Sequence, residues 1–151
     1  MTIKWEDSTR TSGPTIQEIT TGMNSLTNGS GVASSTVSND NTTTEMDRFA
    51  DAELYVPSFG TAPTADLSIN LYIRRSIDGG TNFEDASGSR PPRNGFVGSF
   101  PLANVTTAQR IALPGIILPP CDFQWYIVNN SGQTMASSGN ILSVRYYSEV
   151  P

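Results

Sequence analysis

From residue 47 onward, apolar and polar residues alternate with a period of two, and this pattern predicts β-strands. Residues 50–56 carry small or apolar side chains at every second position, and the segment ends at Pro57. Residues 67–74 repeat the pattern, with Leu and Ile on one side and Ser, Asn, Tyr and Arg on the other. Because successive side chains of a strand point to opposite faces of its sheet, both segments are expected to have one buried and one solvated face.

Shorter apolar segments continue to the end of the chain. They cover residues 96–100, 110–113, 116–118, 123–128 and 141–147. Pro114 and Gly115 interrupt the second and third of these, so two separate strands are expected there. Residues 123–128 are the most apolar and are expected at the centre of the core. About seven or eight strands at hairpin-like spacing predict an all-β fold, a single antiparallel β-sandwich with jelly-roll or Greek-key-like connections.

Residues 1–46 differ from residues 47–151 in their content of apolar residues. They contain few apolar residues, and a polar stretch runs from residue 27 to residue 44. A short strand within residues 15–21 and a single turn at residues 23–26 are the regular elements expected. Because such a segment buries little apolar surface by itself, we expect residues 1–46 to be an extended, partly irregular N-terminal arm or edge segment. Residues 47–151 then form the β-sandwich domain, which should stay folded when residues 1–20 are deleted.

The composition excludes several kinds of catalytic site, metal site and cross-link. The chain has no His and a single Cys, Cys121, and 15% of its residues are charged. Without His there is no Ser-His-Asp or Cys-His triad and no His-ligated zinc. With one Cys there is no internal disulfide and no Cys-based metal cluster. The sequence therefore predicts a structural or binding protein, not an enzyme, with no cofactor and no metal.

Charge and hydropathy narrow the expected partners. The net charge is −5, so a nucleic-acid partner would meet no basic surface. No stretch approaches the roughly 20 apolar residues that cross a membrane, and the first residues show no apolar leader. We therefore expect no nucleic acid, no membrane and no small-molecule ligand as partners, and synthesis in the cytoplasm.

Two groups of acidic residues have alternative interpretations. Asp51 and Glu53 share one strand face about 6.5 Å apart, within the range of glycosidase carboxylates. The same spacing occurs on any acidic strand surface, which is the interpretation we favour. The oxygen-bearing side chains of residues 78–85 suit a hard cation such as Ca²⁺, but their spacing does not match an EF-hand loop, so a turn is favoured.

The segment 81–94 is predicted to be an exposed loop, long for a structural connection, and such loops are often functional. The chain's densest group of basic residues surrounds it, namely Arg74, Arg75, Arg90 and Arg93. These residues form either a phosphate-binding patch or, in the interpretation we favour, solvated charges and ion-pair partners of nearby acids.

Aromatic residues give three open alternatives. Residues 125 and 126, and residues 146 and 147, are adjacent aromatic pairs, so one member of each pair should face the core. The outward members, together with Tyr55 and Tyr72, suit a solvated sheet surface, a protein interface or a carbohydrate-stacking platform.

Four segments of the chain resemble small virion proteins of tailed bacteriophages, a group that includes capsid decoration, or cement, proteins. The segments are residues 53–56, 75–85, 98–115 and 118–147, and the likeness extends to Ile3, Lys4 and Trp5. The likeness lies in the succession of strands and turns, and it includes no active-site motif.

This resemblance implies a protein on the outer surface of the virion capsid that binds the major capsid protein, bridges its subunits and stabilises the shell. A homo-oligomer, either a trimer or a dimer, is expected. The alternative is a β-sandwich of a tail or head fibre that binds host-surface carbohydrate. The candidate contacts with the capsid or a sister subunit are Ile3, Trp5, Ile16, Ile19, Tyr55 and Tyr72.

Overall fold

The computed structural model describes residues 4–7, 15–40, 46–64, 67–88 and 90–150, with the backbone alone for residues 4–7 and 149–150. These residues form nine strands and one short 3₁₀ turn, Thr21–Met23. The strands are β1 (Lys4–Asp7), β2 (Ile16–Ile19), β3 (Gly31–Ala33), β4 (Phe49–Val56), β5 (Ser68–Arg75), β6 (Phe96–Pro101), β7 (Gln109–Ile117), β8 (Phe123–Asn130) and β9 (Ile141–Val150).

The strands form two antiparallel sheets packed face to face. The first sheet has the order β2-β9-β4-β7, and β1 pairs with β9 beyond β2 on the same edge. The second sheet has the order β3-β8-β5-β6. These two orders, 2-9-4-7 and 3-8-5-6, are those of a jelly roll, in which two Greek keys are wrapped around one core. The predicted β-sandwich is confirmed, and the jelly roll is the variant that the chain adopts.

The core lies between the sheets and follows the alternation in the sequence. In β4 and β5 every second side chain is buried, as the period of two predicts. The central strand β8 is almost entirely buried, in agreement with its apolar sequence. The largest side chains with almost no exposure are Trp125, Tyr146, Phe100, Phe123 and Met23.

Strand β7 corrects the prediction of two strands at residues 110–113 and 116–118. It runs without a break past Pro114, with a bulge where its register with β4 shifts. Proline is tolerated here because β7 is an edge strand, where one side of the backbone has no ladder partner. Gly115 takes a positive φ of 70° at the bulge, and its amide donates to Asp51 Oδ1 at 2.8 Å.

The described part of residues 1–46 is built into the sandwich. Strands β2 and β3 pair with β9 and β8, and the side chains of Ile19, Met23 and Val37 belong to the core. Residues 15–40 are therefore edge strands with core contacts and not a detached arm. Deleting residues 1–20 would remove Ile19 from the core, so the expectation that the sandwich survives this deletion is abandoned.

Within the described ranges, no helix is long and apolar enough to cross a membrane.

Candidate functional site

The two outer faces of the sandwich differ. The outer face of the second sheet is partly covered by the connection between β5 and β6, residues 76–95, which we call the covering loop. Arg74 on β5 holds this loop, because its Nε donates to the Glu84 carbonyl at 2.9 Å while NH1 donates to Gln124 Oε1 at 3.0 Å. The Arg74 guanidinium also lies 5.8 Å from the ring centroids of both Phe83 and Tyr126. One arginine thus joins the loop to two strands.

A second attachment of the loop is the Tyr126 hydroxyl, which donates to the Gly88 carbonyl at 2.9 Å. Tyr126 points outward from β8 but is only 3% exposed, because the loop lies over it. This burial raises the pKa of the Tyr126 hydroxyl. Gly31 on β3 allows the close approach, since a Cβ there would lie 2.6 Å from both the Gly88 carbonyl oxygen and the Tyr126 ring.

The two limbs of the covering loop enclose an open cavity of about 560 Å³. Ser87 and Arg90 exchange backbone hydrogen bonds of 3.0 and 2.9 Å, which joins the limbs near the tip. At the base of the loop, the backbone amide of Arg75 donates to Glu84 Oε2 at 3.1 Å. The guanidinium NH1 of Arg75 lies 4.0 Å from Glu84 Oε1. The polar residues of the lining are Glu84, Asp85, Ser87, Arg90, Arg93 and Asn94.

The acidic group proposed as a cation site forms a turn. Asp78 Oδ1 accepts hydrogen bonds from the Ser76 hydroxyl at 2.7 Å and the Asn82 amide at 2.9 Å, and Oδ2 accepts one from Asn82 Nδ2 at 2.7 Å. These bonds, chiefly those from Asn82, lower the pKa of Asp78 to about 2. Across the residues that the structure describes, no three His, Cys, Asp or Glu side chains are placed to hold a metal ion. The turn interpretation is the one that the geometry supports.

The outer face of the first sheet is left uncovered by the described loops. We define the first-sheet face as the outward side chains of β4, β7 and β9, which the strand register places side by side: Phe49, Asp51, Glu53, Tyr55, Arg110, Ala112, Ile117, Ile141, Ser143, Arg145 and Tyr147. All of them are half-buried or exposed. This face is the second candidate interaction surface.

Asp51 and Glu53, the pair with glycosidase-like spacing, lie on this face and are engaged by neighbouring residues. Asp51 Oδ1 accepts the Tyr147 hydroxyl at 3.1 Å as well as the Gly115 amide. Glu53 forms an ion pair and hydrogen bond with Arg110. Each of the two carboxylates is already bound to a neighbouring residue on the sheet surface. This supports a structural role for the pair and not a catalytic one.

The two ends of the first-sheet face are aromatic or aliphatic. At one end the Phe49 and Tyr147 rings stack with centroids 5.8 Å apart, beside Ile117, whose side chain is 77% exposed. At the other end the Arg110 guanidinium lies 4.7 Å from the Tyr55 ring centroid. Burial, followed by the hydrogen bond to Asp51, raises the pKa of Tyr147. Phenylalanine, tyrosine and arginine are enriched at protein interfaces.

The structure does not bring the six predicted contact residues together. Ile3 lies outside the described residues, and so does the side chain of Trp5. Ile19 is buried in the core and is unavailable to a partner, while Ile16 is half-buried against the core. Tyr55 lies on the first-sheet face, but Tyr72 lies on the opposite side of the sandwich, in edge-to-face contact with Phe96 at 5.4 Å. Tyr55 and Tyr72 therefore cannot form one stacking platform.

Sequence reasoning missed Phe49, Ile117 and Tyr147 as one cluster. The signal was present in part, because Tyr147 belongs to an adjacent aromatic pair and Phe49 precedes the alternating segment 50–56. What joins them is the antiparallel register, in which Phe49 lies between Ile117 on one side and Tyr147 on the other. Register between strands far apart in the chain is not readable from one strand alone.

Comparisons with known proteins give little beyond the fold. No model of a known protein family matches the chain, and no curated protein sequence matches it. Among solved structures, the chain is similar to the CBM36-1 domain of a multidomain xylanase from the hindgut metagenome of Trinervitermes trinervoides. The identity is 11%, the TM-score is 0.45, and the alignment covers 95% of this chain and 96% of that domain.

Proposed function

We propose that this protein is a structural protein that binds another protein through the first-sheet face, and that the bound surface is the outside of a tailed-phage capsid. The attachment to a capsid follows from the resemblance of residues 53–56, 75–85, 98–115 and 118–147 to virion proteins. The neutral charge and exposed aromatic and aliphatic ends of the first-sheet face support its use as the contact surface. In this role the protein bridges neighbouring capsid subunits, so that rupture of the shell must break additional contacts.

The observation that carries the proposal is the chemistry of the first-sheet face. Its described charged residues are two acids, Asp51 and Glu53, and two bases, Arg110 and Arg145, so their charges cancel. The whole chain carries −5. A locally neutral face with exposed aromatic and aliphatic ends suits a protein partner, because it lacks the net negative charge of the whole chain.

The second candidate function is binding of host-surface carbohydrate by a fibre protein. The covering-loop cavity is the feature that favours this function. The tyrosines do not favour it, because Tyr55 and Tyr72 lie on opposite sides of the sandwich and cannot stack on one sugar. The two functions differ in the surface that they use, so substitutions on one surface distinguish them.

The first test is the copy number of the protein in purified virions, measured by quantitative mass spectrometry against the major capsid protein. We expect about one copy per shell subunit or a simple fraction of it, because bridging contacts recur with the lattice of the shell. A total that is a small multiple of three or six would place the protein in the tail. Absence from the particle would remove the capsid proposal.

A second test places one charge on the first-sheet face. We expect Ile117→Glu to weaken binding to capsids about tenfold or more, because a carboxylate in the apolar end of the contact surface must be desolvated. The measurement is co-sedimentation of purified protein with capsids that lack it. Ile77→Glu is the matched control, since Ile77 is 96% exposed at the start of the covering loop, away from the first-sheet face.

Both variants should unfold at the same denaturant concentration as the parent chain, because neither side chain is in the core. Equal binding by the Ile117 and Ile77 variants would contradict the use of this face. A change of oligomeric state in the Ile117 variant with capsid binding retained would assign the face to sister subunits instead of the shell.

A further inference from the structure

The covering-loop cavity contains charged side chains that the described part of the chain leaves unpaired. Glu84 is engaged by Arg75 at the base of the loop. The side chains of Asp85, Arg90 and Arg93 have no hydrogen bond or ion pair to other described residues. Three unpaired charges that line one cavity, two positive and one negative, are the starting point for a ligand of definite chemistry.

The signs of these charges restrict the ligand. Two guanidinium groups favour a carboxylate or another oxyanion, because each presents several N–H donors in a planar fork. The Asp85 carboxylate accepts hydrogen bonds and donates none, so it favours hydroxyl groups and repels a bare inorganic anion. A ligand that satisfies both requirements carries one anionic group and several hydroxyls on the same small framework.

We propose that this cavity binds a carboxylated sugar of the uronic acid type, with its carboxylate on Arg90 and Arg93 and its ring hydroxyls donating to Asp85. Composition alone predicts no small-molecule ligand, and the cavity is the observation that leads to one. The proposal does not rest on capsid attachment, because the covering loop and the first-sheet face lie on opposite sides of the sandwich. A chain bound to a shell by its first-sheet face would turn the cavity outward.

The size and lining of the cavity agree with a polar ligand. Its volume of about 560 Å³ lies within the usual range for ligand pockets, about 300–1,000 Å³. Ala86 and Pro91 are the apolar members of the described lining, which contains no aromatic ring. Recognition therefore depends on charge and hydrogen bonding, not on stacking. The Ser87–Arg90 hydrogen bonds and the Arg75–Glu84 pair hold the backbone of the walls before any ligand arrives, whereas the Arg90 and Arg93 side chains are ordered on binding.

The test is titration of the full chain with digalacturonate, followed by isothermal titration calorimetry and by amide shifts in NMR spectra. We expect saturable binding, with shifts in residues 84–94. Arg93→Gln should raise the Kd about tenfold to a hundredfold, because a charge-assisted hydrogen bond is lost. Arg110→Gln is the matched control, since it removes the same charge from the first-sheet face, and its Kd should equal that of the parent chain.

A third variant separates a sugar site from a general anion site. Asp85→Ala should weaken digalacturonate binding, because the acceptor for the hydroxyls is gone, and should tighten binding of inorganic phosphate, because a repelling charge is gone. The neutral disaccharide of galactose should not bind measurably. Phosphate binding as tight as that of digalacturonate, equal affinities of the Arg93 and Arg110 variants, or no saturable binding would each overturn the proposal.

Discussion

Asn39→Asp is expected to destabilise the protein by about 3–5 kcal/mol, although it replaces a single NH₂ group by an oxygen. Asn39 is completely buried between β3 and β4. Its Nδ2 donates to the carbonyls of Asp47 at 3.0 Å and Pro119 at 2.9 Å, and its Oδ1 accepts the Asp47 amide at 2.8 Å. The substitution places a carboxylate oxygen against two carbonyl oxygens, so two hydrogen bonds are replaced by repulsion in a completely buried site.

The pH dependence of this loss has a definite sign. Burial and the facing carbonyls raise the pKa of the introduced carboxyl above the ordinary value of about 3.9 for Asp. The deficit relative to the parent chain is therefore full above the raised pKa and shrinks as the pH falls below it. It is smallest well below about 3.9, where the carboxyl is protonated in both states. Urea unfolding of both proteins at pH 7 and at pH 4 measures the difference.

Asn70→Asp is the matched control for this substitution. Asn70 lies half-buried on β5, and its Oδ1 accepts hydrogen bonds of 2.8 Å from the hydroxyls of Ser68 and Ser99. Because a carboxylate also accepts such bonds, the same change should cost about 1 kcal/mol or less here. Similar losses at positions 39 and 70 would contradict the role assigned to the Asn39 amide.

Local alternation predicted the strands whose two faces differ in environment. Strands β4 and β5 were predicted to within one residue at either end, because each has a buried face and a solvated face. Strand β3 was not predicted, since Gly31, Val32 and Ala33 are too few to show a period and are held by pairing with β8. The bulge in β7 was taken for a break between two strands. The hydrogen bond from the Gly115 amide to Asp51, 64 residues away, cannot be recognised from the sequence around Gly115.

The candidate surfaces were less accessible to sequence reasoning than the strands. A loop was predicted at residues 81–94, and the structure has a loop there, within the connection between β5 and β6. Its return over the second sheet depends on contacts of Arg74 with Gln124 and of Tyr126 with Gly88, which join segments that are distant in the chain. The outward member of the pair at residues 125 and 126 was expected on a sheet surface or an interface. It is Tyr126, and the covering loop buries it. Ile19 was taken for an external anchor for a similar reason, because nothing in residues 15–21 reveals that β2 closes the edge of the first sheet.

Tyr146→Phe is expected to cost about 2–4 kcal/mol, because one hydroxyl joins three strands. Trp125 Nε1 on β8 donates to the Tyr146 hydroxyl on β9 at 2.8 Å, and that hydroxyl donates to the Glu18 carboxylate on β2. Trp125 and Tyr146 are almost completely buried. Removing the hydroxyl leaves the indole N–H without this acceptor inside the core. It also removes the side-chain hydrogen bond between β9 and β2.

The adjacent residue supplies the control, since Tyr147 points to the opposite face of the same strand. Its hydroxyl donates to Asp51 at 3.1 Å on the first-sheet face, where water can replace it. Tyr147→Phe should therefore cost only about 0.5–1.5 kcal/mol. In urea unfolding, the double variant Trp125→Phe with Tyr146→Phe should lose less than the two single losses added together, because no indole N–H is left unpaired. Equal losses at positions 146 and 147, or additive losses at positions 125 and 146, would mean that packing of the rings, and not the hydroxyl between the sheets, accounts for the stability of this part of the core.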